Sequence, residues 1–196
     1  IPALGEPIIG LDVSADGRWV LATCKSYLLL IDALQKSGKN EGKLGFEKSF
    51  AADAKPQPRR LALIPEHVAQ FAYETGKGVS FTPAKFNTGE GAEETSIITA
   101  SGPYIIEWSL KKVLAGKKVP YLIKRYTDDV KADDFKFGTD KNVIVALPHE
   151  VNMVSHARLK RPTRESIAGN FGRRTSARYA TPGRSRLGRE DIVQEY

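Results

Sequence analysis

The chain has 196 residues, one cysteine and a formal net charge of +7. A single cysteine excludes an internal disulfide and fits a reducing compartment. The sequence contains neither an apolar run long enough to span a bilayer nor a signal-peptide pattern, and its length allows one domain with a sizeable core or a smaller domain with a tail.

The positive charge is concentrated near the C-terminus. About six of the seven excess positive charges lie from Arg158 onward, and the rest of the chain is close to neutral. Arg, Ser, Gly and Thr dominate this segment, and apolar residues are few. We therefore predict that residues 156–196 form a disordered basic tail, separate from the domain before it.

The stretch from Ile8 to Asp32 predicts a unit that the rest of the chain repeats. Its three short apolar runs are separated by turn signals at Asp16-Gly17 and Lys25-Ser26, which is typical of antiparallel strands. Gly45–Phe50 alternates and is expected to form the fourth, outer strand. A sheet of this kind buries both faces only by stacking on copies of itself, as in a β-propeller.

The second unit carries an insertion. Arg60–Leu63 predicts a short strand, and Pro65–Tyr73 predicts a helix with proline in its first turn and Gly76 as its stop. Val79–Phe86 then returns to the strand pattern and leads into an acidic, glycine-rich loop. Insertions of this kind map to loops at the rim or on one face of a propeller, where function often differs.

The remaining segments complete the second unit and begin a third. We expect a helical turn at Ser109–Ala115 and strands at Ser96–Ala100, Tyr104–Trp108, Pro120–Tyr126, Val130–Phe137, Val143–Leu147 and Val151–Val154. The inner hairpins LATCKSYLLLID, ITASGPYIIEWS and VALPHEVNMVS align with one another, and the Trp-Asp dipeptide is incomplete in each. The repeats are therefore WD40-like but degenerate.

The predicted fold is all-β, a partial WD40-like β-propeller of about three four-stranded blades. Blade one covers residues 8–50, blade two covers residues 59–126 with the insertion, and an incomplete blade three covers residues 130–155. Closed propellers have about 4–8 blades, and residue 1 is Ile rather than Met. We therefore expect that upstream blades of the same protein are missing from this chain.

Several strings in the sequence are specific enough to indicate a family. LDVSADGRWVLATCKSYLLLID, GVSFTPAKFNTGEG, SGPYIIEWSLKKVLAGK and DDFKFGTDKNVIVALP resemble the C-terminal domain of the vacuolar import and degradation protein 27 family, which is fungal with plant relatives. The resemblance runs from about Pro7 to about Val154. It implies a cytoplasmic, non-enzymatic protein with a WD40-like propeller and an upstream pleckstrin-homology-like module. It also implies a link, by name, to the delivery of cytosolic enzymes to the vacuole for degradation.

The residues show no pattern for catalysis, a cofactor or a metal ion. His67, His149 and His156 lack the spacing of zinc ligands, and Cys24 at a strand end is expected to be a packed thiol. The aspartates at positions 128, 129, 133, 134 and 140 lack the spacing of a calcium loop and are expected in solvated turns. The segment NTGEGAEE lacks the lysine and hydroxyl of a phosphate-binding loop.

Two candidate sites remain. Lys85 and Asn87 form a candidate partner surface on one propeller face, although Phe81–Asn87 also fits a plain outgoing strand. Ser176 follows Arg173-Arg174 and matches the substrate pattern of basophilic kinases, so its phosphorylation would weaken contacts of the tail with anions. The alternative for the tail is a solvated segment without a function of its own.

The leading hypothesis is a non-enzymatic cytoplasmic scaffold that binds protein partners. One alternative is a peripheral binder of anionic membrane or RNA that acts through the tail, which steep salt dependence would reveal. The tail lacks the aromatic spacing that would stack bases, so sequence-selective RNA binding is not expected. Another alternative is a hydrolase on a propeller face, which would need a convergent cluster of acids, histidines or a metal.

Overall fold

The computed structural model describes residues 5–88, 94–130 and 142–168. Within these ranges the chain forms three antiparallel sheets in chain order, with three short α-helices between or after their strands. The fold is therefore mostly β, as the alternating apolar runs predict.

The first sheet has the strand order β1-β2-β3-β4. Its strands are β1 (Ile8–Val13), β2 (Trp19–Cys24), β3 (Leu28–Asp32) and β4 (Arg59–Leu61). The first turn contains Gly17 with φ 70°, a left-handed conformation that glycine adopts without strain. The three inner strands predicted from Ile8–Asp32 are thus confirmed.

The predicted outer strand at Gly45–Phe50 is wrong, because this segment closes a turn. The amide of Glu47 donates to the carbonyl of Leu44 at 3.0 Å, and its carboxylate accepts from the Leu44 amide at 3.1 Å. Phe50 packs directly against Gly45, where a Cβ would overlap its ring. Instead, β4 pairs with β3 as the outer strand, although the sequence assigned that segment to the second unit.

The second sheet has the order β5-β6-β7-β8. Its strands are β5 (Lys85–Thr88), β6 (Glu94–Ser101), β7 (Tyr104–Ser109) and β8 (Tyr121–Arg125). Helix α2 (Leu110–Leu114) follows β7, and the Ser109 hydroxyl at its N-cap accepts from the Lys112 amide at 3.4 Å. The strands and helical turn predicted between residues 96 and 126 are confirmed.

Residues 79–84, predicted as part of a strand, instead tie the first two sheets together. The amide of Phe81 donates to the Lys25 carbonyl at 2.8 Å, and the amide of Thr82 donates to the Ala100 carbonyl at 2.9 Å. The amide of Ala84 donates to the Thr23 hydroxyl at 2.9 Å. These donors are used between sheets, so regular pairing starts only at β5.

The predicted insertion helix is confirmed as α1 (Pro65–Thr75). Proline occupies the first turn, where its missing N–H costs nothing. Gly76 ends the helix with φ 67° and donates its amide to the Ala72 carbonyl.

The third sheet is a hairpin of β9 (Asn142–Ala146) and β10 (Val151–Ser155). Both strands agree with the prediction. The expected strand at Val130–Phe137 lies, apart from Val130, outside the described residues.

The prediction of a disordered tail from residue 156 is wrong for its first part. A 3-10 turn covers His156–Arg158, Lys160 forms a bridge with Ile123 of β8, and α3 (Arg164–Ala168) follows. Ile167 of α3 has no exposed surface, and Leu159 is 7% exposed. These two apolar residues anchor a segment whose composition is otherwise polar and basic. The remainder of the predicted tail, residues 169–196, lies outside the described residues.

Most of the core lies in layers between consecutive sheets, and a small cluster of Ala22, Cys24, Tyr27 and Leu29 lies on the other face of the first sheet. One apolar cluster joins the first two sheets and includes Leu21, Leu30, Phe86, Ile97, Ile106 and Trp108. A second cluster joins the second sheet to the third and includes Ile98, Ala100, Ile105, Val145 and Leu147. Because neighbours such as Ile97 and Ile98 point to opposite faces of β6, the second sheet is buried on both sides.

Replacing Ile167 by alanine tests whether α3 belongs to the folded domain. We expect Ile167→Ala to lower the free energy of unfolding by about 2–4 kcal/mol, because it removes a fully buried aliphatic side chain. Denaturant unfolding of the full chain measures this change. Arg164→Ala, at an exposed position on the same helix, is the matched control and should change stability by less than about 0.5 kcal/mol. Equal effects of the two substitutions would contradict the packing of α3.

Candidate functional site

Among the described residues, no group of three or more histidine, cysteine, aspartate or glutamate side chains is placed to hold a metal ion. The Cys24 thiol is buried and donates to the Glu6 carbonyl at 3.7 Å. No helix in the described ranges is long and apolar enough to cross a membrane.

Lys85 and Asn87, the candidate partner residues, lie at the junction of the first two sheets. Lys85 Nζ is 3.8 Å from Asp12 Oδ1, and the Phe86 amide donates to the other Asp12 oxygen at 2.8 Å. Asn87 is only 6% exposed, and its side chain donates to the Ser96 hydroxyl at 3.4 Å. Both side chains thus have structural contacts inside the protein, and their role in partner binding stays a prediction. Ser176 lies outside the described residues.

Helix α1 is fixed on the second sheet by aromatic and polar contacts. Phe71 stacks on Tyr104 with ring centroids 4.0 Å apart and an interplanar angle of 12°. The Tyr121 hydroxyl accepts from the Ile64 amide at 3.1 Å and lies 2.8 Å from His67 Nδ1. Arg125 Nη1 lies 2.9 Å from Glu74 Oε2. The insertion is therefore a rigid part of the domain rather than a free loop.

Tyr104 also holds α3. Its hydroxyl donates to the Ile167 carbonyl at 2.9 Å, and Arg125 donates to the same carbonyl at 3.1 Å. Burial raises the pKa of Tyr104, although the nearby Arg125 opposes the shift. The hydroxyl therefore keeps its proton and remains a donor at neutral pH.

A cavity of about 610 Å³ opens where the hairpin ends of the first two sheets meet the end of α1. We name it the hairpin-end cavity. It is lined by Lys25, Phe71, Thr75, Lys77, Gly78, Val79, Ser80, Ser101, Gly102, Pro103, Tyr104, Asp129 and Val130. Four segments form its walls: the β2–β3 turn, the end of α1 with the stretch after it, the β6–β7 turn and the residues that follow β8.

The polar groups of the hairpin-end cavity are mostly structural. The Ser101 hydroxyl accepts from the Ser80 amide at 3.0 Å, and the Thr75 hydroxyl donates to the Phe71 carbonyl at 2.7 Å. Lys77 and Asp129 form an exposed ion pair at 3.9 Å. The lining therefore combines apolar surface with hydroxyl groups and charges of both signs. The sequence predicted the two turns, but it gave no signal that they would meet around α1.

Antiparallel sheets that follow one another in chain order, with apolar layers between them, are typical of a WD40-like β domain. Residues 1–173 match the family described as the VID27 C-terminal WD40-like domain, and the chain belongs to that family. The expected family resemblance is thereby confirmed.

Two curated relatives carry the name Vacuolar import and degradation protein 27. The chain is 56% identical over 167 residues to the one from Schizosaccharomyces pombe, covering 85% of this chain and 21% of the relative. It is 47% identical over 167 residues to the one from Saccharomyces cerevisiae, covering 84% of this chain and 21% of the relative. The chain therefore spans about a fifth of the length of these relatives.

Asp12 should matter more for stability than its partner Lys85. Asp12→Ala leaves the Phe86 amide without its acceptor, and we expect a loss of about 1–3 kcal/mol in the free energy of unfolding. Lys85→Ala removes only a partly exposed ion pair, so its loss should stay below about 1 kcal/mol. Urea unfolding of the two variants compares these values directly. A larger loss for Lys85→Ala would contradict the structural role assigned to Asp12.

His67 should make stability depend on pH in the weakly acidic range. Burial lowers the pKa of His67 below its usual value near 6.5, with Glu66 opposing the shift. The unfolded chain then binds the proton more readily, so the stabilising contribution is complete above about pH 6.5 and is lost as the pH falls through the folded-state pKa. We expect the wild type to lose more stability than His67→Phe between about pH 7.5 and about pH 5.5, as measured by denaturant midpoints. Identical losses would show that His67 is not responsible.

Proposed function

We propose that this domain is a non-enzymatic, cytoplasmic protein-interaction platform and that the hairpin-end cavity receives a segment of a partner protein. The cavity is the observation that carries the proposal. The names of the relatives link such a platform to vacuolar import and degradation, so partners in that process are the first to test.

The architecture of the cavity supports a polypeptide ligand. Its walls come from rigid elements, since α1 is held by the Phe71–Tyr104 stack and by the ion pair between Arg125 and Glu74. Its volume of about 610 Å³ is open to solvent and mixes apolar, hydroxyl and charged residues. Surfaces that bind proteins commonly mix polar and apolar groups. A preorganised surface loses little conformational freedom on binding, which favours affinity.

We further propose that the three sheets are consecutive blades of a larger ring, completed by upstream blades of the same protein. The first sheet supports this, because Ile9, Leu11 and Val13 share one face of β1 and are 49%, 63% and 45% exposed. A preceding blade would cover these side chains as the second sheet covers the opposite face. The relatives extend well beyond the matched region, which leaves ample chain for such blades.

Binding through the segment from residue 169 onward is the rival function. Comparing the full chain with a chain ending at residue 168 separates the two, and residue 168 is the proper end because α3 is packed. Partners retained by the shorter chain at high salt favour the platform. Binding that needs the C-terminal segment and disappears with salt would favour contacts with an anionic membrane or RNA.

Filling the hairpin-end cavity should abolish partner binding without unfolding the domain. A Cβ at Gly78 would meet no atom within 4 Å, and its backbone is not in the left-handed region, so Gly78→Trp adds bulk without strain. Affinity capture from fungal cytosol at high salt, analysed by mass spectrometry, should lose specific partners with this variant. Ala52→Trp, an equal addition at a distant exposed turn, should keep them. Unchanged capture by folded Gly78→Trp would overturn the role of this cavity.

A further inference from the structure

A second surface lies along β8, the outer strand of the second sheet, and it is strongly basic. Two cavities of about 460 and 530 Å³ open beside this strand and share Arg161 and Thr163 in their walls. We name them together the basic groove. The cationic side chains that line it, beyond Arg125, are Lys112, Lys117, Lys118, Lys124, Arg158, Lys160 and Arg161.

The fold itself brings these charges together. Lys117 and Lys118 come from the loop between α2 and β8, Lys124 from β8 and Arg158 to Arg161 from the segment after β10. That segment is fixed along the strand, because Ile123 and Lys160 exchange backbone hydrogen bonds of 2.8 and 2.9 Å. The groove is therefore built into the domain before residue 169.

The cations of the groove have little compensation within the described part of the chain. None of the ion pairs found there involves these cationic side chains, and Glu165 is the one acidic residue in the walls of the two cavities. Arg125, by contrast, pairs with Glu74 and belongs to the α1 and α3 anchor. A set of neighbouring like charges without partners favours an anionic ligand.

The mutual repulsion of the positive charges in the groove is clearest at Lys124. Burial lowers the pKa of its ammonium group, and the neighbouring Arg158 lowers it further. The Lys124 ammonium lies 4.6 Å from the centroid of the Tyr126 ring. An anion between Lys124 and Arg158 would relieve this unfavourable proximity.

The shape and lining of the groove indicate which anion it fits. The walls of the two cavities present no exposed tyrosine, phenylalanine or tryptophan ring for base stacking, since Tyr121 is 2% exposed and the half-buried His67 ring packs edge-on against it. None of the large apolar side chains exposed in the described ranges lines the groove, although membrane-surface binding normally inserts such residues. Two adjoining cavities with lysine and arginine spread over both suit a ligand that carries several carboxylates along one chain.

We propose that the basic groove binds an Asp/Glu-rich segment of a partner protein. The proposal rests on the proposed function in that the partner is a protein, but it names a different surface and a defined ligand chemistry. The hydroxyls of Thr163 and Ser166 are engaged with one another and with the local backbone, so the cationic side chains carry recognition. Binding of this kind gains from charge complementarity and weakens with salt.

Fluorescence anisotropy with the full chain and a labelled peptide of alternating glutamate and serine tests the proposal. We expect binding at low salt that the same peptide with glutamine in place of glutamate does not show. The double substitution Lys124→Glu with Arg161→Glu should weaken binding by about tenfold or more, because it replaces two attractive charges by repulsive ones. The control, Lys39→Glu with Lys43→Glu, makes the same change in net charge at exposed positions outside the groove and should stay within about twofold. Equal weakening by both pairs would overturn the proposal, since only net charge would then matter.

Further experiments distinguish the acidic peptide from other possible ligands of the groove. Lys117→Glu with Lys118→Glu alters an exposed loop of the groove and replaces the first pair if that pair does not fold. Phosphatidylserine vesicles and poly(U) are titrated in parallel, and groove-dependent binding of either without binding of the peptide would overturn the proposal. Dimerisation of the chain that the groove substitutions abolish would assign the groove to a second copy and overturn it as well.

The Gly78→Trp variant distinguishes this proposal from the proposed function. It should keep wild-type affinity for the acidic peptide while losing partners of the hairpin-end cavity. If peptide binding fails but cavity-dependent capture persists, the groove proposal is wrong and the platform stands. If the peptide binds but partner capture does not depend on the hairpin-end cavity, the role proposed for the cavity is wrong and the groove proposal stands.

Discussion

Tyr104 is the residue on which the non-repetitive parts of this domain depend. Its ring is fully buried, stacks on Phe71 of α1 and lies beneath the guanidinium group of Arg125 at 5.7 Å. Its hydroxyl donates to the main chain of α3. A single side chain at a hairpin turn thus fixes an inserted helix and the segment after the last described strand. Such a buried hydroxyl must keep its partner, because an unsatisfied polar group would cost more than the bond contributes.

The first sheet has a simpler form of the same arrangement, in which a tyrosine at a turn packs under an arginine of the outer strand. Tyr27 occupies the matching turn, its hydroxyl accepts from the Glu6 amide at 3.2 Å, and Arg60 of β4 lies 4.2 Å over its ring. In both sheets an arginine from the outer strand covers a tyrosine from the inner hairpin. The repeat therefore extends beyond strand spacing to a packing motif, and the second sheet uses its copy to attach two helices.

The sequence predicted the hairpins well, because alternating apolar residues and glycine-bearing turns are local signals. It predicted α1 for the same reason, from proline at its start and glycine at its end. It failed at Gly45–Phe50, where alternation arises from a turn closed by Glu47 rather than from a strand. The prediction of disorder after residue 155 also failed. It was based on a polar, basic composition, and two apolar residues, Leu159 and Ile167, are too few to change that composition. Their burial depends on a surface that α1 and β8 create only in the folded protein.

The candidate sites show why function was harder to predict than fold. Lys85 and Asn87 stood out because their surrounding string is unusual. Unusual residues also arise where two sheets must be joined, as the contacts of Asp12 with Lys85 and Phe86 show. The cavities lie instead between segments distant in sequence, and no local pattern marks them. Lys25, Gly78 and Gly102 line one cavity because the sheets stack, and a single sequence does not reveal that stacking.

The basic residues that follow β10 both shield a sheet edge and form the basic groove. An outer strand such as β8 presents unpaired backbone groups that invite association with other chains. Lys160 covers part of that edge through its backbone, so the edge is shielded without a fifth strand. The cationic side chains of Arg158, Lys160 and Arg161 are exposed, and their like charges also disfavour pairing with another sheet edge. Positive charge here is therefore not a property of a detached tail. Up to residue 168 it is part of the folded surface, and protection of the edge and attraction of an anionic partner arise from the same side chains.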